Sequence, residues 1–123
     1  MQTVNLTMTN IEILEESVLM AADKVAEDAK DQGTKTLVNL FKSVVLKKYK
    51  DAFDQELSLG EVHKKNIDKA VDFCYEDICV TIRRCSEWTV EEKEGLVREG
   101  KMMKGKVKDA VFQILSNKGI KVV

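Results

Sequence analysis

The chain has no proline at all, only one histidine, one tryptophan and three cysteines, and 6% aromatic residues. Each scarcity excludes something. Without proline nothing forces a break inside a helix, so helices can run long. A single histidine, His63, excludes a site built from several imidazoles, and Gly60 stands where a Glu-x-x-His carboxylate site needs its glutamate. The run His63-Lys64-Lys65-Asn66-Ile67 does not carry the glycine that follows the essential histidine of a phosphotransfer bundle. No phosphate loop, nucleophile elbow or glycine-rich dinucleotide turn occurs. No run approaches the ~20 apolar residues of a membrane span, and MQTVNLTMTN lacks the basic start and apolar block of a signal peptide. An odd cysteine count suits a reducing compartment. The expectation is a soluble, cytoplasmic protein with no membrane association, no cofactor, no metal and no catalytic residue.

What is present is helical periodicity. At 123 residues, 44% apolar and 33% charged, the chain reads as one globular domain over 1–123. Val4, Leu6 and Met8 alternate with polar residues and predict a short strand. Thr9 and Glu12 have capping-box spacing, and a first helix is expected from there to Gln32, with Gly33 as its stop. Ile11, Leu14, Val18, Ala22, Val25 and Ala29 form its core stripe. A second helix is expected from Thr36 to Gln55, apolar over more than half its circumference from Leu37 to Phe53. Its acidic end, Asp51, Asp54 and Glu56, opposes the helix dipole.

Ser58 and Glu61 predict a third helix from Leu59 to Cys85, lined by Ile67, Val71, Cys74, Ile78, Ile82 and Cys85. Thr89 and Glu92 predict a fourth, to about Asn117, with Leu96, Met103, Val107, Val111 and Ile114 inward and a Schellman ending at Gly119. Ile120 to Val123 has strand composition. Short connections make successive helices antiparallel. The fold class is therefore all-α: a four-helix up-and-down bundle with short extended terminal segments at one pole, able to pair with each other or with a second copy.

Three sets of residues are candidates for function. Cys74, Cys79 and Cys85 share one helix; neighbours five apart are separated axially by about 7.5 Å, beyond the ~7 Å reach of a disulfide. Cys74 and Cys85 fall on the core stripe, and Cys79 is expected to be the exposed thiol. Arg98, Lys101, Lys104 and Lys108 make a cationic stripe on the fourth helix, and Lys42, Lys47, Lys48 and Lys50 cluster on the second. Such stripes can follow a phosphate backbone. With net charge −1 and no interleaved aromatics, pairing with the seven acids of the first helix is the favoured reading.

The third set is apolar. Val62, Phe73 and Val80 project together, away from the main stripe of the third helix, and Ile13 and Met20 do the same on the first. A second apolar face at helical spacing marks either a contact surface or a long helix that the rest of the bundle surrounds on two sides. On the first reading the expected function is a non-enzymatic protein-interaction or regulatory module, self-associating through that face. The alternative is a nucleic-acid-binding subunit using the basic faces. Gly95, Gly100 and Gly105 predict a weak or kinked fourth helix, with Gly100 admitting a close neighbour.

Overall fold

The computed structural model describes residues 6–27, 31–46, 49, 52 and 61–123, with the side chains of the first helix described from Glu12 onward. Among the described residues, four helices and one two-stranded sheet follow in order: α1 (Leu6–Glu27), α2 (Gln32–Lys42), β1 (Glu61–Val62), α3 (Lys64–Arg84), α4 (Val90–Asn117) and β2 (Lys121–Val122). The all-α, four-helix architecture is as expected. The strand over Val4 to Met8 is not: Leu6 already lies in α1, so Thr9 is inside the helix and not at its start, while Val4 and Asn5 lie outside the described residues.

The helices surround one core. Leu14, Val18, Phe41, Ile67, Ile78 and Val107 are among its buried members. α4 packs along both α1 and α3. It runs antiparallel to α3: Tyr75 Oη donates to the Val97 carbonyl at 3.0 Å, and Lys93 Nζ donates to the Arg83 carbonyl at 3.0 Å. It runs antiparallel to α1 as well, with Lys118 3.4 Å from Glu16 at one end.

Helix ends set by local chemistry fall where expected. Thr89 Oγ1 accepts from the Glu92 amide at 3.1 Å, and the Glu92 carboxylate accepts from the Thr89 amide at 2.9 Å. These two bonds satisfy two of the amides that a helix start leaves without partners. At the other end Gly119 takes a φ of 75°, which only glycine adopts freely. The Ile120 amide then reaches back to the Leu115 carbonyl at 2.9 Å.

Helix ends set by distant partners fall elsewhere. Gly33 does not stop α1; it lies in the first turn of α2, whose cap is Asp31 accepting from the Thr34 amide at 3.1 Å. A Cβ at Gly33 would come within 2.8 Å of Glu99 Oε2, so glycine leaves room for that carboxylate here. α2 ends at Lys42, well short of Gln55. Ser43 Oγ donates to the Leu40 carbonyl at 2.7 Å, and the freed Leu46 amide donates to the Glu15 carboxylate of α1 at 2.8 Å. The chain then crosses α3. Val44 and Leu46 are buried, the Tyr49 ring stacks on Phe73 with centroids 4.3 Å apart, and Lys69 Nζ donates to the Ala52 carbonyl at 3.0 Å. Burying one such side chain contributes roughly 1.5–3 kcal/mol. Intrinsic helix preference among ordinary residues spans only about 0.7 kcal/mol per residue, so burial decides where α2 stops. Phe53, Asp51, Asp54 and Glu56 lie outside the described residues.

The third helix also starts late. Glu61 and Val62 form β1, and His63 is the N-cap of α3, without a side-chain capping bond. Ser58 lies outside the described residues. β1 pairs in parallel with β2, Glu61 opposite Lys121 and Val62 opposite Val122. The Val123 amide donates to the Val62 carbonyl at 2.9 Å, and the Lys64 amide donates to the Val123 carbonyl at 2.8 Å. The C-terminal segment therefore pairs with the entry to α3, and α3 with α4 forms the crossover that parallel pairing requires. α4 is unbroken from Val90 to Asn117 despite its three glycines.

Candidate interaction surfaces

The five residues expected to form one apolar contact face are dispersed. Val62 is not on α3 but on β1, and it is 1% exposed. Phe73 is half-buried under Tyr49, their ring planes 7° apart, with the Tyr49 hydroxyl donating to Asp77. Of the expected second apolar face of α3, Phe73 is thus covered by Tyr49, from the segment after α2. Its cover was invisible as long as that segment was read as more helix. Ile13 packs against the core from α1. Only Val80 and Met20 stay well exposed, at 43% each, on different helices.

Val80 has a neighbour that periodicity misassigned. Val45 falls on the apolar stripe of the expected second helix, but it lies past the end of α2 and is 55% exposed. Leu40, Val44, Val45, Ile78 and Val80 line one open groove of about 480 Å³, with Asp77 and Arg84 also on its wall. This is where exposed apolar side chains from two elements meet.

The cationic stripe of α4 divides in two. Lys104 lies 2.9 Å from Asp72 and 4.9 Å above the Tyr75 ring; Lys108 lies 3.5 Å from Asp68 and 3.4 Å from Asp72. Arg98 and Lys101 are exposed. The acids that meet the stripe belong to α3, not to the first helix as expected. The reason is rotational: Lys104 and Lys108 sit on the flank of α4 that faces α3. The acids of α1 take other cations, Lys42 at 2.8 Å from Asp23 and Lys118 at 3.4 Å from Glu16. Lys47, Lys48 and Lys50 lie outside the described residues.

The cysteines are all thiols. Cys74 is buried as expected, but the other two exchange places: Cys79 is buried and Cys85, the C-cap of α3, is partly exposed. Cys79 shares the α3 flank of Tyr75, which α4 covers. Burial there pushes the Tyr75 phenol up to about 12, and the neighbouring Cys79 thiol adds to the shift. His63, at the start of α3, is partly exposed. Among the described residues no three His, Cys, Asp or Glu side chains gather where they could hold a metal ion, and no described helix is long and apolar enough to cross a membrane.

A second opening, of about 830 Å³, lies between the C-terminal half of α1, the start of α2 and the middle of α4. Val25, Met102 and Met103 meet Lys24, Lys106 and Asp109 there. At its edge Thr34 Oγ1 lies 2.8 Å from Asp31 Oδ1 and 2.6 Å from Glu99 Oε1. The bonds from the Thr34 hydroxyl and amide hold the Asp31 carboxyl below its usual range. Opposite charges are mixed along this wall, so it favours no ligand charge.

Comparison of the chain with protein-family profiles, with curated proteins and with solved structures gives no match.

Proposed function

We propose that this protein is a non-catalytic interaction module that associates with a second copy of itself through the groove between the end of α2 and α3. The observation that carries this reading is the pair Val45 and Val80, both exposed on the wall of one groove, whose lining also includes polar Ser43 and Thr81. Asp77 and Arg84 on the same wall carry opposite charges. In a twofold contact, where residue i of one copy meets residue j of the other, j also meets i, so a wall bearing both signs can complement itself. A net charge of −1 offers little repulsion between copies. The groove is small beside the roughly 800 Å² per partner of a standard interface, so association is weak and concentration-dependent. The buried thiols Cys74 and Cys79 suit a reducing, cytoplasmic setting.

The test is molar mass in solution at two protein and two salt concentrations. The wild type should gain mass with concentration, and a Val45→Asp/Val80→Asp variant should stay a single chain with unchanged circular dichroism. Both sites are exposed, where substitutions usually change stability by no more than about 0.5 kcal/mol. A single-chain mass for the wild type at every concentration would overturn the reading. The nucleic-acid alternative has less support, because two of the four cations on the α4 stripe already face carboxylates. It predicts oligonucleotide binding that falls steeply with salt.

A further inference from the structure

We propose that the cleft beside the α3–α4 turn binds an acidic segment of a protein partner that also carries an apolar side chain. This cleft is separate from the Val45–Val80 groove and does not depend on it. α3 ends at Arg84 and α4 begins at Val90, and beside that short turn lies an opening of about 390 Å³, lined by the first turns of α4 and by Arg83 of α3. Val90 and Val97 line it, seven residues apart on one face of α4. Two turns of helix separate them by about 10.5 Å, enough for several extended residues or two turns of a docked helix. Val90 is 71% exposed, among the most exposed large apolar residues described.

Charge sets the kind of occupant. Arg83, Lys93 and Arg98 line the opening against a single acid, Glu94. Lys93 Nζ is held at 3.0 Å by the Arg83 carbonyl, which fixes that ammonium between the two helices. The Thr89–Glu92 capping box stiffens the α4 wall at its first turn. Arg83 and Arg98 are both exposed, and a guanidinium can grip a carboxylate through two parallel bonds. Glu87 and Glu91 are exposed nearby in sequence but do not line the cleft. An apolar floor beneath three cations and one acid matches a carboxylate flanked by an aliphatic side chain. A membrane surface fits less well, because a slot two turns long offers no broad face and Glu94 lies within it. Nucleic acid fits less well because no aromatic ring lines the floor for a base to stack on.

The probe is a short fluorescein-labelled peptide of Glu, Leu and Ala, followed by anisotropy at low salt. Trp88, the only tryptophan and two residues before Val90, gives an independent emission signal. Saturable binding is expected, weakened at least tenfold by Arg83→Glu/Arg98→Glu and by replacing Leu with Ser in the peptide. If the double variant fails to fold, Arg98→Gln alone should weaken binding several-fold. Any one of three results overturns the proposal: no saturable binding, equal binding of a Lys-for-Glu peptide, or unchanged affinity in the folded variants. Binding to phosphatidylserine vesicles without binding to the peptide also overturns it, and assigns the cleft to a membrane.

Discussion

The two glycines Gly100 and Gly105 sit five residues apart on the same helix and should respond differently to the same substitution. A Cβ at Gly105 meets nothing within 4 Å. Gly105→Ala therefore gains helix preference of about 1 kcal/mol without a steric cost. At about 2.1 cal/mol/K of unfolding entropy per residue, a chain of this length gains roughly 4 °C in Tm per kcal/mol. At Gly100 a Cβ would lie 3.2 Å from Tyr75 Cε1 and 3.5 Å from Leu37 Cδ2. The first distance is tighter than an ordinary contact, so the ring would have to move. Tyr75 is held by its bond to the Val97 carbonyl and by Lys104 above the ring. Overpacking of this kind costs about 1–3 kcal/mol. Set against the same gain of about 1 kcal/mol, the net effect at Gly100 runs from near zero to a loss of several degrees. Thermal unfolding by circular dichroism or calorimetry reads both. If Gly100→Ala raises Tm as much as Gly105→Ala, then α3 and α4 do not approach as closely as Tyr75 requires, and the reasoning fails.

Three further outcomes follow from named contacts. The Tyr49–Phe73 stack should show a coupling of about 0.5–1.5 kcal/mol in a double-mutant cycle with Leu at each position, read by denaturant unfolding; zero coupling would mean that the segment after α2 does not lie on α3. Thr89→Ala should cost about 1 kcal/mol through loss of the capping box, and Thr89→Ser should restore most of it. For Tyr75, the folded-state value of about 12 lies above the ordinary 10. Its contribution to stability is therefore complete below pH 10 and is lost as pH rises from 10 to 12, which Tyr75→Phe should abolish in alkaline unfolding curves. Absorbance titration should find one phenol ionising only near pH 12.

Residues whose partners are near in sequence were legible from the chain. Thr89 and Glu92 are three apart, and Gly119 follows directly on the last turn of α4, so backbone hydrogen bonding alone marks both ends of that helix. The inward stripes of α3 and α4 were legible too, because 3.6-residue periodicity repeats over many turns and averages out single exceptions. The candidate surfaces were less so. Val62, Phe73 and Val80 look alike on a helical projection, yet one is in a strand, one lies under a tyrosine and one is exposed.

Tertiary structure decided every point at which the acceptor or the cover came from a distant residue. Glu15, on another helix, receives the Leu46 amide and lets α2 end at Lys42. Tyr49 then covers Phe73, on the face of α3 that periodicity left bare. The flank of α3 bearing Cys79 is polar in pattern, but a long α4 lies along it, so the thiol is buried and Cys85 is the partly exposed one. Lys104 and Lys108 find Asp68 and Asp72 because of how α4 is rotated, which charge counting along one helix cannot reveal. Local hydrogen bonds and periodicity are written in neighbouring residues. Helix rotation, the break after α2 and the parallel pairing of residues 61–62 with 121–122 arise from burial summed over the whole chain, where each contact is worth only a little more than the local preference it overrides.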